Sequence, residues 1–427
     1  MHTSVLILGG GITGMSTAYH LQRAGFTNYL LVEKAPVFGG LCASRQIEDF
    51  TLDYGGHLLH LHTPQGEQLV RTLLGDNLLR HKRSAWVFFE GKRVPFPFQA
   101  NLWALPAPVR EKCVAGLIEI TRQTQKTLPP DTDFETWCLA RFGRGIYETF
   151  MRPYNEKLWG GPLTDLTAEW CAPFVPLPSE EQIKASAQRP PAQDFGYNAF
   201  FYYPRQGGIG ALTHALADGI SHKKNNAALT QVNLSSRQAK INGETLTYDT
   251  LINTLPLPDF MRLVADAPAE QPAARALQAR EVSVLHVAVA RETEPFSWIY
   301  FADPKFPFYR VGLQSGFSPT NAPAGTSLFY VEFSGRVSPD KATDAHIRRA
   351  LCEAGILQET DRLLLWDWQH LRCAYARYDK HRTPNTVRLL DFLDGQHCLC
   401  AGRYGRWEYT FMEHNLTEGA RLAQKLI

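Results

Sequence analysis

The opening residues SVLILGGGITGMSTAYHLQRAGFTNYLLVEK restrict the fold more than any other stretch. They read in order as a buried strand, a glycine turn, a helix and a second strand, which is a βαβ unit. Gly9, Gly11 and Gly14 stand in GxGxxG spacing. The first permits a tight turn, the second lets backbone approach a pyrophosphate, and the third lets helix pack on strand. Amides at the helix start, around Ile12 and Thr13, then face the phosphates. Glu33 ends the second strand about 20 residues on, placed to accept the hydroxyls of an adenosine ribose, and Lys34 follows it. An acid there argues against a 2′-phosphate.

Two dinucleotides share this fingerprint, and the next segment, EKAPVFGGLCASRQ, separates them. Gly39 and Gly40, followed by Leu41, make a second backbone approach. The arrangement resembles the amine-oxidase clan of FAD proteins, in which such a glycine pair precedes a basic residue near the flavin phosphates. Arg45 fits that position. FAD is expected rather than NAD.

At 427 residues the chain is too long for one core, so two or three domains are expected. From Leu102 to Gln188 the pattern is helical, with breaks at Pro129, Pro130, Pro153 and Pro162, and this insert is read as a cap. From Leu251 to Trp368 strands such as VSVLHVAVA and TSLFYVEFSG alternate as in an antiparallel sheet with one covered face. Between them Gly207, Gly208 and Gly210 return the chain to the cofactor domain, and Asn242 and Gly243 mark a hairpin turn. The expected architecture is α/β. A discontinuous Rossmann-like FAD domain (1–78, 205–250 and 385–427) carries a helical cap (102–195) and an antiparallel-sheet substrate domain (79–101 and 251–384).

A net charge of +2 gives no electrostatic case for nucleic acid or an anionic membrane, so a small-molecule substrate is expected. No apolar run approaches the roughly 20 residues that span a bilayer, and the start lacks a signal-peptide pattern, which reads as cytoplasmic. The eight cysteines include no CxxC pair, and Cys398 and Cys400 alternate as small buried residues of a strand.

The stretch GGHLLHLH sets His57, His60 and His62 within six residues. If the segment is extended, His60 and His62 share one face and His57 the other, so the three do not converge on a metal, and none is expected.

Five blocks in order resemble the UDP-galactopyranose mutase family: DYGGHLLHLH, RVPFPFQANLWALP, MRPYNEKLWGGPLTDL, FPFYRVGLQSGFSP and CAGRYGRWEYTFMEHN. The resemblance implies that Gly56 and His57 lie at the flavin ring, that Arg310 lies near the substrate pyrophosphate, and that Trp159, Tyr378 and Tyr409 shape a sugar pocket. It also implies that Gly402, Arg403, Tyr409 and Met412 close the FAD site, with a helix starting near Glu413, and that Val232 meets the adenine. One departure is notable. Where the family carries a second substrate arginine, this chain reads EWCAPFVPLP with Phe174, and Arg377, between Tyr375 and Tyr378, is the candidate replacement. The segment containing Asn198 resembles both eukaryotic-type mutases and protoporphyrinogen-oxidase relatives.

The implied activity is that of a flavoenzyme using N5 of a reduced flavin on a nucleotide-linked or phosphorylated sugar, a precursor of cell-surface glycans. The alternative is an FAD-dependent oxidase or dehydrogenase acting on an apolar or amine substrate.

Overall fold

His2–Leu8 lies in the middle of a seven-stranded sheet because both of its faces are apolar. Val5 and Ile7 pack with helices Ile12–Arg23, Gly210–Asp218 and Met412–Leu426. Leu6 and Leu8 pack on the other side with Leu257, Phe260, Leu389 and Leu393. A strand covered on both faces suits a parallel ladder, and His2–Leu8 pairs in parallel with Tyr29–Val32 and with Glu244–Asn253. Lys223–Lys224 and Cys398–Cys400 extend the parallel ladder on its two sides. The computed structural model describes residues 1–122, 128–129, 131–171, 179–190 and 199–427.

The Asn242–Gly243 hairpin forms as expected. Its two residues take φ of 49° and 86°, the mirror-image turn that matches strand twist, and it joins Gln238–Ile241 to Glu244–Asn253. The division expected between residues 250 and 251, however, falls inside that last strand. Leu251 and Ile252 are fully buried and stand opposite Leu6 and Ile7, so the ladder runs on to Asn253. Helices Leu257–Leu263 and Gln271–Ala276 then bury Phe260, Met261 and Ala274 against the same sheet. After Asn253 the chain returns to the second sheet only at Ala279.

That second sheet also has seven strands, in the order Leu363–Ala376, Ala279–Val289, Ser327–Ser334, Arg310–Leu313, Trp298–Phe301, Ala85–Phe89 and Lys92–Pro95. Every pairing is antiparallel except that of Trp298–Phe301 with Ala85–Phe89. The covered face carries Ile299, Phe301, Val311, Leu313, Phe329 and Val331 and packs with Ile347 and Leu351 of helix Lys341–Glu353. The alternate residues point the other way, where Tyr330 and Glu332 meet Gly55 and Gly56.

Helices Ala107–Arg122, Phe134–Ile146, Arg152–Trp159 and Glu180–Ser186 form the cap around Phe98, Trp137, Phe142 and Phe150. The break expected at Pro153 does not occur. Tyr147–Met151 takes a π turn and Pro153 falls in the first turn of the following helix, where the missing N–H interrupts no bond. Lys157 fastens this helix to the second sheet, its Nζ donating to the carbonyls of Phe301 (2.9 Å), Asp303 (2.5 Å) and Phe306 (3.0 Å).

Candidate active site

The glycine turn is assembled from backbone. Gly11 caps helix Ile12–Arg23, and Gly39 bridges it, its amide donating to the Gly10 carbonyl at 2.7 Å. A Cβ on Gly11 would meet no atom within 4 Å, whereas one on Gly14 would stand 2.1 Å from the Gly9 carbonyl oxygen. Gly40 lies against the same turn, with any Cβ 3.3 Å from the Gly11 Cα. The Glu33 carboxylate holds the lip, accepting from the amides of Gly10 and Ala35, each at 2.8 Å. Lys34 is exposed and Leu41 half-buried.

The far end of the chain docks on this turn. Thr13 Oγ1 donates to Asn415 Oδ1 at 3.1 Å, the same oxygen accepts from the Arg403 amide at 2.9 Å, and Ser16 Oγ donates to the Leu416 carbonyl at 2.6 Å. Gly402 sits so close that a Cβ there would lie 2.2 Å from Thr13 Oγ1. Helix Met412–Leu426 starts one residue before Glu413, with Met412 half-buried. Arg45 turns to Asp367 (Nη2 to Oδ2, 2.5 Å), and its buried Nε has no hydrogen-bond partner among the described residues. Val232 is fully buried in the core beside the sheet, its carbonyl accepting from Ala265. Open backbone at Gly11, an acid at the strand end and an orphaned guanidinium nitrogen fit a dinucleotide, and these residues would hold FAD.

The histidine loop is fixed at both ends by buried carboxylates. Glu332 accepts from the Gly56 amide at 3.2 Å, and Glu413 accepts from the amides of His62 and Thr63 and from Thr63 Oγ1, the last two at 2.7 Å. Between them Leu59 exchanges both backbone bonds with Tyr202. His60 and His62 stack with ring centres 6.3 Å apart, the shared face of an extended segment, and His62 is exposed. His57 Nδ1 lies 3.4 Å from the Gly55 carbonyl. Burial lowers the His57 pKa to about 4, overriding the Gly55 carbonyl and Glu332, so the ring is neutral near pH 7. His60 is lowered to about 4 for the same reason. Among the described residues no group of three or more His, Cys, Asp or Glu side chains could hold a metal.

Against the histidine loop stands the other face of the second sheet, itself buried at Tyr330 and Glu332. Tyr300, Arg310 and Glu332 are direct cross-strand neighbours, so their side chains form one row. Arg310 donates to Glu332 twice, from Nε at 2.6 Å and from Nη2 at 2.7 Å, a bidentate pair. Burial pushes the Glu332 carboxyl up and the Arg310 charge overrides it, leaving the group below the usual carboxylate range. In the adjoining row Tyr330 lies over Gly312, where a Cβ would be 2.0 Å from its ring. The hydroxyls of Tyr330 and Tyr309 are buried without a hydrogen-bond partner among the described residues. His57 feels the charges of Glu332, Arg403 and Arg310, which places the loop and this row together.

The cap contributes Trp159, 3% exposed, whose ring meets Trp170 at 5.5 Å and Tyr375 at 6.1 Å and whose Nε1 has no partner among the described residues. Tyr409 faces Trp170 at 6.2 Å and carries the Arg403 guanidinium 4.6 Å over its ring. Tyr378 stands behind: its hydroxyl accepts the Tyr409 amide at 2.7 Å, and Arg382 covers its ring. Arg377 is engaged elsewhere, donating to the Trp159 carbonyl at 3.2 Å. Phe174 and Asn198 lie outside the described residues. Glu332, Tyr300, Tyr330 and Glu413 were not singled out from the sequence. A carboxylate inside the apolar run SLFYVEFS was the signal for Glu332, because a buried charge needs a partner.

Residues 12–427 match the family described as flavin containing amine oxidoreductase. A crystal structure of reduced UDP-galactopyranose mutase superposes with a TM-score of 0.92 and 26% identity, covering 99% of this chain and 93% of that one. A fatty acid isomerase from P. acnes shares the fold at TM-score 0.68 and 12% identity, over 99% and 98%. Among curated relatives, 52 residues are 40% identical to a flavin-containing monoamine oxidase A of Dictyostelium discoideum, 12% of this chain and 11% of that protein. Coproporphyrinogen III oxidase of Bacillus subtilis is 20% identical over 292 residues, 62% of each. The chain thus spans less than two thirds of the length of these curated relatives. No helix among the described residues is long and apolar enough to cross a membrane.

Proposed function

Because the chain belongs to the flavin containing amine oxidoreductase family and is an FAD-dependent flavoenzyme, we propose that it acts as UDP-galactopyranose mutase does, on a nucleotide-linked or phosphorylated sugar. The observation that carries this reading is the polar lining. The remaining nitrogen of buried Arg310, the orphaned hydroxyl of Tyr330 and the orphaned Trp159 Nε1 await polar partners, which a sugar and its phosphates supply and a hydrocarbon does not. FAD supplies a nucleophilic nitrogen when reduced and a hydride acceptor when oxidised.

The chain's own residues then have defined tasks. Arg310, oriented by Glu332, presents its remaining Nη1 to a phosphate. Trp159 and Tyr409 flank the sugar, and Tyr378 positions Tyr409 through its amide. Neutral His57 holds the flavin edge by a hydrogen bond without adding charge. Catalytic work under this reading falls to His57, Arg310, Trp159 and Tyr409, with the whole set resting in three parts: cofactor domain, cap and antiparallel sheet. The substrate is a small molecule held in the cleft between them.

An oxidoreductase on the same scaffold is the second reading, favoured by the neutralisation of Arg310 by Glu332, which leaves that row with little net charge. Mixing dithionite-reduced protein with UDP-galactofuranose separates the two. Conversion to the pyranose is expected; neither conversion nor binding would sink the mutase reading, and stoichiometric oxygen consumption with an amine or apolar donor would establish the other. In Arg310→Ala the loss of UDP affinity should exceed the loss of FAD content.

A further inference from the structure

A substrate diphosphate needs more positive charge than the residues so far described provide. Arg310 is cancelled by Glu332. Arg403 is held at the cofactor side, donating to the carbonyls of Thr410 and Ala374, each at 3.1 Å. Arg377 is drawn to the Trp159 carbonyl. One further arginine stands beside this face. Arg83 lies two residues before strand Ala85–Phe89, outside the ladder, in the link from Leu79–Lys82. Its backbone is anchored, the amide donating to the Ala199 carbonyl at 2.9 Å, and its guanidinium stacks 5.4 Å from the centre of Phe96, which in turn meets Tyr300 at 5.1 Å.

Half-buried among these rings, Arg83 has no carboxylate partner among the described residues. Its pKa is accordingly lowered by burial, with only the Tyr300 hydroxyl opposing. The same hydroxyl also feels Arg310, and His60 feels Arg83. A guanidinium taken partly out of water without a counter-charge is costly unless an anion joins it. Beside the Phe96 ring, its planar fork can take an oxyanion.

We propose that Arg83 is the second cation of the substrate cleft and binds the sugar-linked phosphate of the substrate diphosphate, the phosphate that is terminal in free UDP, across Tyr300 from Arg310. It takes the part for which Phe174 offers no charge. The assignment rests on the mutase reading above.

The test is titration of the FAD-loaded, dithionite-reduced protein with UDP and with UMP, read from the flavin absorbance, in wild type, Arg83→Met and Arg83→Lys. Wild type should prefer UDP. Arg83→Met should weaken UDP at least tenfold, change UMP little and keep its full FAD content, and Arg83→Lys should recover part of the loss. If Arg83→Met and Arg83→Lys both keep the wild-type preference for UDP, the assignment of Arg83 is overturned while the mutase reading stands. If wild type binds neither nucleotide, the mutase reading falls and the assignment with it. Should Arg83→Met not fold, Arg83→Lys decides: a weakened UDP-to-UMP preference supports the assignment, and an unchanged one rejects it.

Discussion

The cofactor end and the substrate end of the cleft are built from different materials. At the glycine turn the contacts are backbone against backbone, with Gly39 bridging Gly11 and Gly14 closing on Gly9. On the sheet face they are side chains brought side by side from strands far apart in sequence, as when Arg310 meets Glu332 across the ladder. A site made of peptide groups tolerates an added atom only where the backbone is open, as at Gly11 and not at Gly14. A site made of side chains can be resized, but each buried charge needs its partner.

The sharpest way to break this contrast is at the glycines. Gly14→Ala places a methyl 2.1 Å from a carbonyl oxygen that cannot move aside, and a loss of about 4 kcal/mol or more is expected in urea denaturation. Gly11→Ala meets nothing, so the apo-protein should melt as wild type while FAD retention falls at least tenfold. Equal destabilisation by the two would show that the turn is a packing element alone.

Next in size is the charge row. Glu332→Leu strands a buried guanidinium and should cost roughly 3–5 kcal/mol. Adding Arg310→Met to it should restore most of that, because a buried pair replaced by apolar residues is close to neutral. A double variant no better than the single would place the value of Glu332 in its bond to the Gly56 amide instead.

Lys157→Met tests the joint between cap and sheet. Removing a charge shared by four carbonyls should cost on the order of 1–3 kcal/mol and speed amide exchange in residues 301–308. Unaltered exchange there would mean that the joint holds by apolar packing.

The smallest effect is in pH. His57, His60 and His286 each have a folded pKa of about 4, lowered chiefly by burial, against 6.5 for the free side chain. The unfolded chain therefore binds more protons between pH 6.5 and 4, and stability falls as pH drops through that window. Asp53, raised to about 6 by burial, acts in the opposite sense: its contribution is present below pH 3.8 and is lost as pH rises through 6. The histidines outnumber it. A shallower acid limb of roughly 1–2 kcal/mol is expected in His286→Gln, whose imidazole Nε2 lies 2.9 Å from the Asp53 carbonyl. An acid limb of unchanged depth would assign it to other groups.

The same contrast explains what could be read in the sequence. The glycine turn and Glu33 lie within one βαβ unit, so local spacing disclosed them, and VSVLHVAVA and TSLFYVEFSG disclosed strands of an antiparallel sheet, although these two are buried on both faces and not on one. Arg310 was found by resemblance, but its partner Glu332 is 22 positions away and is set by strand register, which composition does not reveal. Pro153 misled because a proline signals a break only where the preceding turn is α-helical, and the π turn before it was invisible. The boundary at residue 250 misled because burial of Leu251 and Ile252 on both faces depends on partners that lie at the two ends of the chain.

Those two ends have a consequence for biosynthesis. Ser16 waits for Leu416, and Thr13 for Asn415, so the amino-terminal helix emerges from a ribosome about 400 residues before its partner exists. Such long-range closure is slow, since loop entropy is spent before any contact repays it. The glycine turn is therefore complete only once helix Met412–Leu426 has docked on it, although its own residues lie close together in sequence.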